Sequence, residues 1–314
     1  MGRMDFGRIG VIAGGPSSER DISLKTGKTV FDSLKSEGHN TVFLDVREDI
    51  RAPVKDAGLS VAFIALHGRF GEDGTIQAIL DDMNIPYTGS GVSASRLALD
   101  KIASKEIFEK NGIPVPKYAV FEKGKRNSRG DIRFPLVVKP QNEGSSVGLS
   151  IVENEKQLNG ALDKAFQYDN KVILEDFIRG KELTVGILGR EALPAIQIIT
   201  GTGCYDYAAK YQRTDTQYLV PAPIYKKYYE KALGLALAAH NSLGCQVFSR
   251  VDMILDEKAN LFVLEVNTIP GMTARSLLPK AAQAAGIPFY ELCVKIIELS
   301  LVKEGSEMTS RSRG

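Results

Sequence analysis

Short apolar runs alternate with helix-spaced apolar positions over the first third of the chain. Arg8–Ala13, Thr41–Val46 and Val61–Leu66 read as buried strands, and Asp21–Ser36 and Thr75–Met83 as helices that follow strands. Strand–helix–strand alternation predicts a doubly wound parallel sheet covered by helices. The turn-rich stretch from Tyr87 to Ser93 interrupts that pattern and predicts a first boundary. Ser93–Asn111 then reads as one helix, ended by Gly112 with Pro114 and Pro116 beyond it.

The middle of the chain changes character. Phe134–Lys139, Leu149–Val152 and Lys171–Phe177 are β-rich runs joined by turns and by one helix, Glu155–Gln167. This predicts an α+β arrangement with antiparallel pairing. Thr200 to Tyr218 is polar, aromatic-rich and aperiodic, and a loop of that length usually carries function. A helix (Lys226–Ser242), two strands and two closing helices follow, and the last ten residues read as a frayed tail. The expected division is an amino-terminal domain (1–92), a central domain (93–183) and a carboxy-terminal domain (184–314).

The two late strands carry the sharpest chemical signal. If the turn between them centres on Lys258 and Ala259, Val251 faces Val266, Met253 faces Leu264 and Leu255 faces Phe262, forming one apolar face. The other face sets Arg250 across from Asn267, and Asp252 across from Glu265. Two opposed carboxylates repel unless something compensates them, and a hard cation such as Mg²⁺, shared with substrate phosphates, suits oxygen donors in that arrangement. A solvated polar face is the competing reading. The turn that follows, from Thr268 to Ser276, leads into a helix start that could bind an anion.

Lys139 ends a strand, and the Gly144–Gly148 turn after it supplies glycines, hydroxyls and amides suited to phosphate; a plain turn is the simpler reading. Neither a G-x-x-x-x-G-K-[ST] nor a G-x-G-x-x-G pattern occurs, which excludes a P-loop enzyme and disfavours a Rossmann dinucleotide enzyme. By spacing alone Glu175 and Glu182 read as solvated rim charges. Glu19, after the first strand, reads as a capping acid or as a carboxylate for a substrate ammonium. His67, in a glycine-rich loop after the third strand, reads as a ligand contact, whereas His39 and His240 read as surface or helix residues.

Composition sharpens the class without naming the chemistry. The 314 residues carry 40 Lys+Arg against 38 Asp+Glu, a net charge of +2, with 43% hydrophobic residues. That balance argues against a nucleic-acid coat or a polybasic membrane anchor. No apolar run approaches a bilayer span, and the three cysteines have no metal-ligand spacing and read as reduced thiols. A cytoplasmic protein is expected.

Together these segments resemble the D-alanine–D-alanine ligases of the ATP-grasp superfamily, from Gly10 to about Lys303. The resemblance rests on Ser18–Leu24, His67–Gly74, Lys139–Gly148, Tyr205–Tyr211, Arg250–Asp252 and Glu265–Asn267 with the Pro270–Thr273 turn, in that order. It implies a doubly wound domain followed by a two-domain ATP-grasp unit, assembled as a homodimer. It also implies an ATP-dependent synthesis of D-alanyl-D-alanine through an acyl-phosphate, for peptidoglycan.

By position, the resemblance places Lys101, Lys139, Ser146 and Lys210 on ATP phosphates, and Glu175, Ile178 and Glu182 around adenine and ribose. Asp252, Glu265 and Asn267 would hold two Mg²⁺, with Mn²⁺ as the substitute ion. Glu19 would hold the first ammonium with His67 nearby, and Arg250 and the Gly271 amide would stabilise the oxyanion. Ser276 and Leu277 would take the second carboxylate, and Glu19, Ser145 and Tyr211 would form a hydrogen-bonded set. The loop tyrosines imply an amine nucleophile instead of D-lactate. Arg69, Phe70, Ile269 and Arg275 depart from the usual pattern. The rival readings are an ATP-grasp ligase for another amino acid and a non-catalytic nucleotide sensor.

Overall fold

The computed structural model describes residues 4–47, 49–200 and 215–311, with only the backbone described over 303–311. Three sheets organise the described residues. The first is parallel, in the order β2-β1-β3, built from β1 (Ile9–Gly14), β2 (Thr41–Val46) and β3 (Val61–Ile64). Every residue of β1 is buried, as a central strand covered on both faces requires. Helix α1 (Arg20–Ser36) presents Ser23, Thr26, Gly27, Val30 and Leu34 to it, the three-and-four spacing of one helix face. Gly27 permits the closest approach: a Cβ there would stand 2.5 Å from the Ala13 methyl. Two short helices complete the cover, α2 (Arg51–Ala57) and α3 (Thr75–Asp82).

The expected long helix is two. Helix α4 (Val92–Leu99) ends at Asp100, whose extended backbone restarts the chain as α5 (Lys101–Lys110). The Asp100 carboxylate accepts from the Ile102 and Ala103 amides at 3.0 Å, a side-chain N-cap. The break turns Lys101 inward, where it is 6% exposed.

The second sheet is antiparallel, in the order β4-β7-β5-β6: β4 (Tyr118–Glu122), β5 (Leu136–Pro140), β6 (Ser150–Val152) and β7 (Lys171–Asp176), with α6 (Glu155–Ala165) on its apolar side. The third is built on β8 (Gly180–Leu188), with β9 (Glu191–Ala192), β10 (Ile196–Ile199), β11 (Gln217–Leu219), β12 (Phe248–Asp256) and β13 (Leu261–Asn267). Helices α7 (Lys226–Ser242), α8 (Leu277–Ala284) and α9 (Phe289–Arg311) close the chain, so α9 continues through most of the stretch expected to fray.

The position expected as a break, between 183 and 184, lies inside β8, a single strand of a single sheet. The outer domains are also less separate than the sequence suggests. Phe63 and Val11 of the first sheet share one core with Leu278, Leu292 and Ile296 of the closing helices. Ala94, Ala98 and Phe108, assigned by sequence to the central domain, pack with Val251 and Val263 of the third sheet.

Candidate functional site

Four loops, those after the parallel strands β1 and β3, the β5–β6 turn and the turn after β13, converge with the β12–β13 hairpin around two adjoining cavities. One, of about 350 Å³, is lined by Lys101, Lys139, Ser146, Glu175, Ile178, Glu182, Asp252 and Glu265. The other, of about 490 Å³, is lined by Glu19, His67, Ser145, Arg250, Asn267, Gly271, Ser276 and Leu277. The candidate residues that lie among those described are therefore brought together, and they sort by implied partner except that Asn267 lines the second cavity while Asp252 and Glu265 line the first. Lys210 and Tyr211 lie outside the described residues.

The hairpin is the wall between the cavities. Arg250 pairs with Asn267, Val251 with Val266 and Asp252 with Glu265, as the alternation predicts. Beyond that the register shifts: Met253 pairs with Val263, Ile254 with Phe262 and Leu255 with Leu261. The extra residue is a bulge that turns Leu264 away from the core and into the first cavity beside Glu265.

The opposed carboxylates are compensated by side-chain cations. Arg250 donates from Nε and a terminal nitrogen to the two Asp252 oxygens at 2.9 and 2.8 Å. Asp252 also accepts from Thr184 Oγ1 at 2.6 Å and Asn267 Nδ2 at 3.1 Å. Lys101 Nζ stands 3.4 Å from Glu265 Oε2 and donates to the Glu143 carbonyl at 2.7 Å. Arg250, expected at an oxyanion, is thus also the clamp on a candidate metal ligand.

Two carboxylates and a carboxamide are hard donors that fit Mg²⁺. Among the described residues no cluster of three or more His, Cys, Asp or Glu could cage a metal alone. The set suits an ion whose remaining ligands come from phosphate and water.

Glu175 is not a solvated rim charge. It is 3% exposed and lies between Lys105 Nζ at 2.8 Å and Lys139 Nζ at 2.9 Å. Burial works against its charge, but the two ammonium groups win and hold its pKa below the usual value. Lys105 is wholly buried, and desolvation outweighs Glu175, lowering its pKa. Its sequence position, mid-helix, gave no hint of this role.

Glu19 occupies the position before α1 but makes no side-chain cap. Its carboxylate instead accepts from the Ser145 hydroxyl. Ser17 fixes the loop, accepting from the Glu19 amide at 3.2 Å and donating to the His67 carbonyl at 2.7 Å. Glycine is required at 68, where φ is +70° and a Cβ would stand 2.6 Å from Glu19 Oε2. Glu72, missed as a site residue although it lies in the same loop motif, lines this cavity. Burial, and then the neighbouring Glu19 charge, push its pKa well above the carboxylate range. An acidic pair of this kind is a socket for an ammonium.

Ser145 and Ser146 both have positive φ, 47° and 60°, a strained run that turns their side chains to different cavities. Ser276 precedes α8 and its hydroxyl accepts from the Thr273 amide at 2.9 Å, leaving the start of the helix open to the second cavity.

His67 is 6% exposed and fully engaged. Nδ1 lies 3.1 Å from the Ile269 carbonyl, which can only accept, so Nδ1 carries the proton and Nε2 accepts from Thr26 Oγ1 at 2.9 Å. It ties the β3 loop to the turn after β13. His39, expected at the surface or on a helix, is buried outside any helix, whereas His240 lies on helix α7 as expected, with its side chain buried. Burial lowers His67 and His240 to about 4 from 6.5. Folded-state values below the unfolded value give stability that is present above pH 6.5 and lost as pH falls through 4. Each histidine is expected to contribute about 3 kcal/mol to that loss. Thermal midpoints from pH 7 to 4 should fall steeply, and His67→Gln should flatten the slope; an unchanged slope would refute the assignment.

Comparison with known proteins agrees with this geometry. The D-ala D-ala ligase N-terminus family matches residues 47–90, and the D-ala D-ala ligase C-terminus family matches 107–298. The D-alanine–D-alanine ligase of Pelotomaculum thermopropionicum is 46% identical over 307 residues, covering 94% of this chain and 96% of that protein. The chain belongs to the D-alanine–D-alanine ligase family. The ligase of Citrifermentans bemidjiense is 47% identical over 296 residues, covering 94% of this chain and 97% of its own. The Bacillus anthracis D-alanine–D-alanine ligase, solved in complex with ATP, superposes with a TM-score of 0.84 at 35% identity. That match covers 96% of this chain and 99% of the solved one. The doubly wound sheet followed by antiparallel sheets is therefore the ATP-grasp ligase fold of this family.

Proposed function

We propose that this protein joins two molecules of D-alanine at the expense of ATP, giving D-alanyl-D-alanine, ADP and phosphate for peptidoglycan synthesis. The observation that supports it most is the division of one site into a lysine-lined cavity and a cavity with an acidic pair. The Asp252–Glu265 hairpin and the Ser145–Ser146 loop form the division. Such an arrangement sets a phosphoryl donor against a small zwitterion whose ammonium is held by carboxylates.

ATP occupies the first cavity, with Lys101, Lys139 and Ser146 on its phosphates and Glu175, Ile178 and Glu182 around adenine and ribose. Glu19 and Glu72 hold the ammonium of the first D-alanine, leaving its carboxylate turned to the γ-phosphorus. That carboxylate attacks, ADP leaves, and an acyl-phosphate remains. The amine of the second D-alanine, whose carboxylate sits on the Ser276 and Leu277 amides, attacks the acyl carbon and loses a proton. Arg250 and the Gly271 amide bind the oxyanion of the tetrahedral intermediate, which collapses with loss of phosphate. Asp252, Glu265 and Asn267 would hold Mg²⁺, which when bound offsets phosphate charge. Lys210 and Tyr211 keep the roles their motif implies.

The same reading makes the protein a cytoplasmic homodimer. No described helix is long and apolar enough to cross a membrane. The deciding experiment is phosphate release from Mg-ATP with D-alanine, L-alanine or D-lactate. Release is expected with D-alanine, accompanied by one dipeptide per phosphate. Release indifferent to D-alanine would overturn the proposal.

A further inference from the structure

The loop that separates the two cavities is strained, and its strain must be held by something. Ser145 is tied to Glu19, but the preceding residues have a second anchor that the reaction scheme does not use. Arg69, in the loop after β3, donates from Nε to Glu143 Oε1 at 2.8 Å. Through a terminal nitrogen it also reaches Asp169 Oδ1 at 2.8 Å and the Tyr168 carbonyl at 3.1 Å. Asp169 in turn accepts from the Asn142 amide at 2.7 Å. The Glu143 carbonyl receives the Lys101 ammonium. One guanidinium from the first sheet's loop thus spans the dividing loop and the α6–β7 connection of the central sheet.

The two carboxylates are well shielded, with side-chain exposures of 15% and 10%, while Arg69 is 48% exposed. An isolated pair at that exposure would contribute little. This one is a fork bound at three acceptors on two segments, a geometry that a planar guanidinium provides and an ammonium does not. Its consequence is positional. Residues 141–143 can leave the phosphate site only by breaking it, and they would take with them the carbonyl that accepts from Lys101.

We infer that Arg69 is a positioning residue that clasps the 141–148 loop shut over the acyl-phosphate, so that the second amine reaches that intermediate before water does. The inference rests on the ligase reading above and adds the coupling of ATP consumption to dipeptide formation. With the clasp open, water attacks the acyl-phosphate, regenerating D-alanine and releasing phosphate. The net reaction is then ATP plus water giving ADP and phosphate.

The test compares wild type with Arg69→Gln, Arg69→Lys and Asp169→Asn. In Arg69→Gln the ratio of phosphate released to dipeptide formed should rise from near one to about two or more. KM for ATP should rise about tenfold, with only a small loss of thermal stability, as expected for a half-exposed side chain. Arg69→Lys should restore the ratio only in part, and Asp169→Asn should fall between them. Amide exchange over 141–148, followed without substrates, should quicken about tenfold in Arg69→Gln. That readout does not depend on the reaction, so an inactive wild type would count against the ligase reading alone. Unchanged exchange, or a phosphate-to-dipeptide ratio that stays at one, would overturn the clasp.

Discussion

Glu265→Gln is expected to lower the D-alanine-dependent turnover about 10²- to 10³-fold while leaving the fold intact. The substitution keeps the side chain's size and removes one charge of the carboxylate pair. Glu265 pairs with Asp252 immediately before the bulge, where main-chain pairing to β12 is unaffected by the side chain. Lys101 loses a partner at 3.4 Å but keeps the Glu143 carbonyl at 2.7 Å, so its ammonium stays in place. What is lost is half of the anionic charge that would hold Mg²⁺ beside the phosphates. The Mg²⁺ concentration for half-maximal rate should therefore rise together with the fall in kcat, and excess Mg²⁺ should recover part of the rate. A variant with full activity, or one whose defect is independent of Mg²⁺, would refute the metal assignment.

That prediction was within reach of the sequence because alternation along two short strands fixes which residues face each other near the open end. The bulge was not legible. Leu264 is apolar and fits a core position as well as a cavity wall, so hydrophobicity could not decide its direction. The helix break at Asp100 carried a signal, an acid able to cap ahead of Lys101, but continuous helical spacing from Ser93 to Asn111 outweighed it. Glu72 sat inside a recognised motif, yet only the fold brings it beside Glu19. The same holds for Arg69 with Glu143, joined from opposite sides of the site. Local patterns reveal elements and loop chemistry; charge pairs between distant segments come from topology.

Glu175→Ala shows what that blindness conceals, and it is expected to destabilise the protein by about 3–5 kcal/mol. The physical reason is the lysine left behind. Lys105 Nζ has no exposure and lies 2.8 Å from Glu175, its nearest counter-charge; the Tyr118 ring 5.5 Å away and the more weakly acting Glu265 are the stabilising neighbours that remain. Lys139, at 9% side-chain exposure on the cavity wall, can be hydrated when its partner goes; Lys105 cannot. The thermal midpoint should fall by on the order of 10 °C. Replacing Lys105 together with Glu175, as Lys105→Met with Glu175→Gln, should recover most of the loss, since no buried charge is stranded.

The sign of the pH dependence separates this cause from lost packing. In the intact protein the Glu175 pKa is depressed, so its contribution is present above the unfolded carboxylate value and is lost as pH falls through the folded one. In Glu175→Ala the already lowered Lys105 pKa drops further, because the attraction that opposed desolvation is gone. Its folded-state cost is relieved as the amine loses its proton. The difference in stability between variant and wild type should accordingly shrink from pH 7 to pH 9. Denaturant midpoints at the two pH values measure it, and a deficit that is equal at both, or below about 1 kcal/mol, would show that Lys105 does not depend on Glu175.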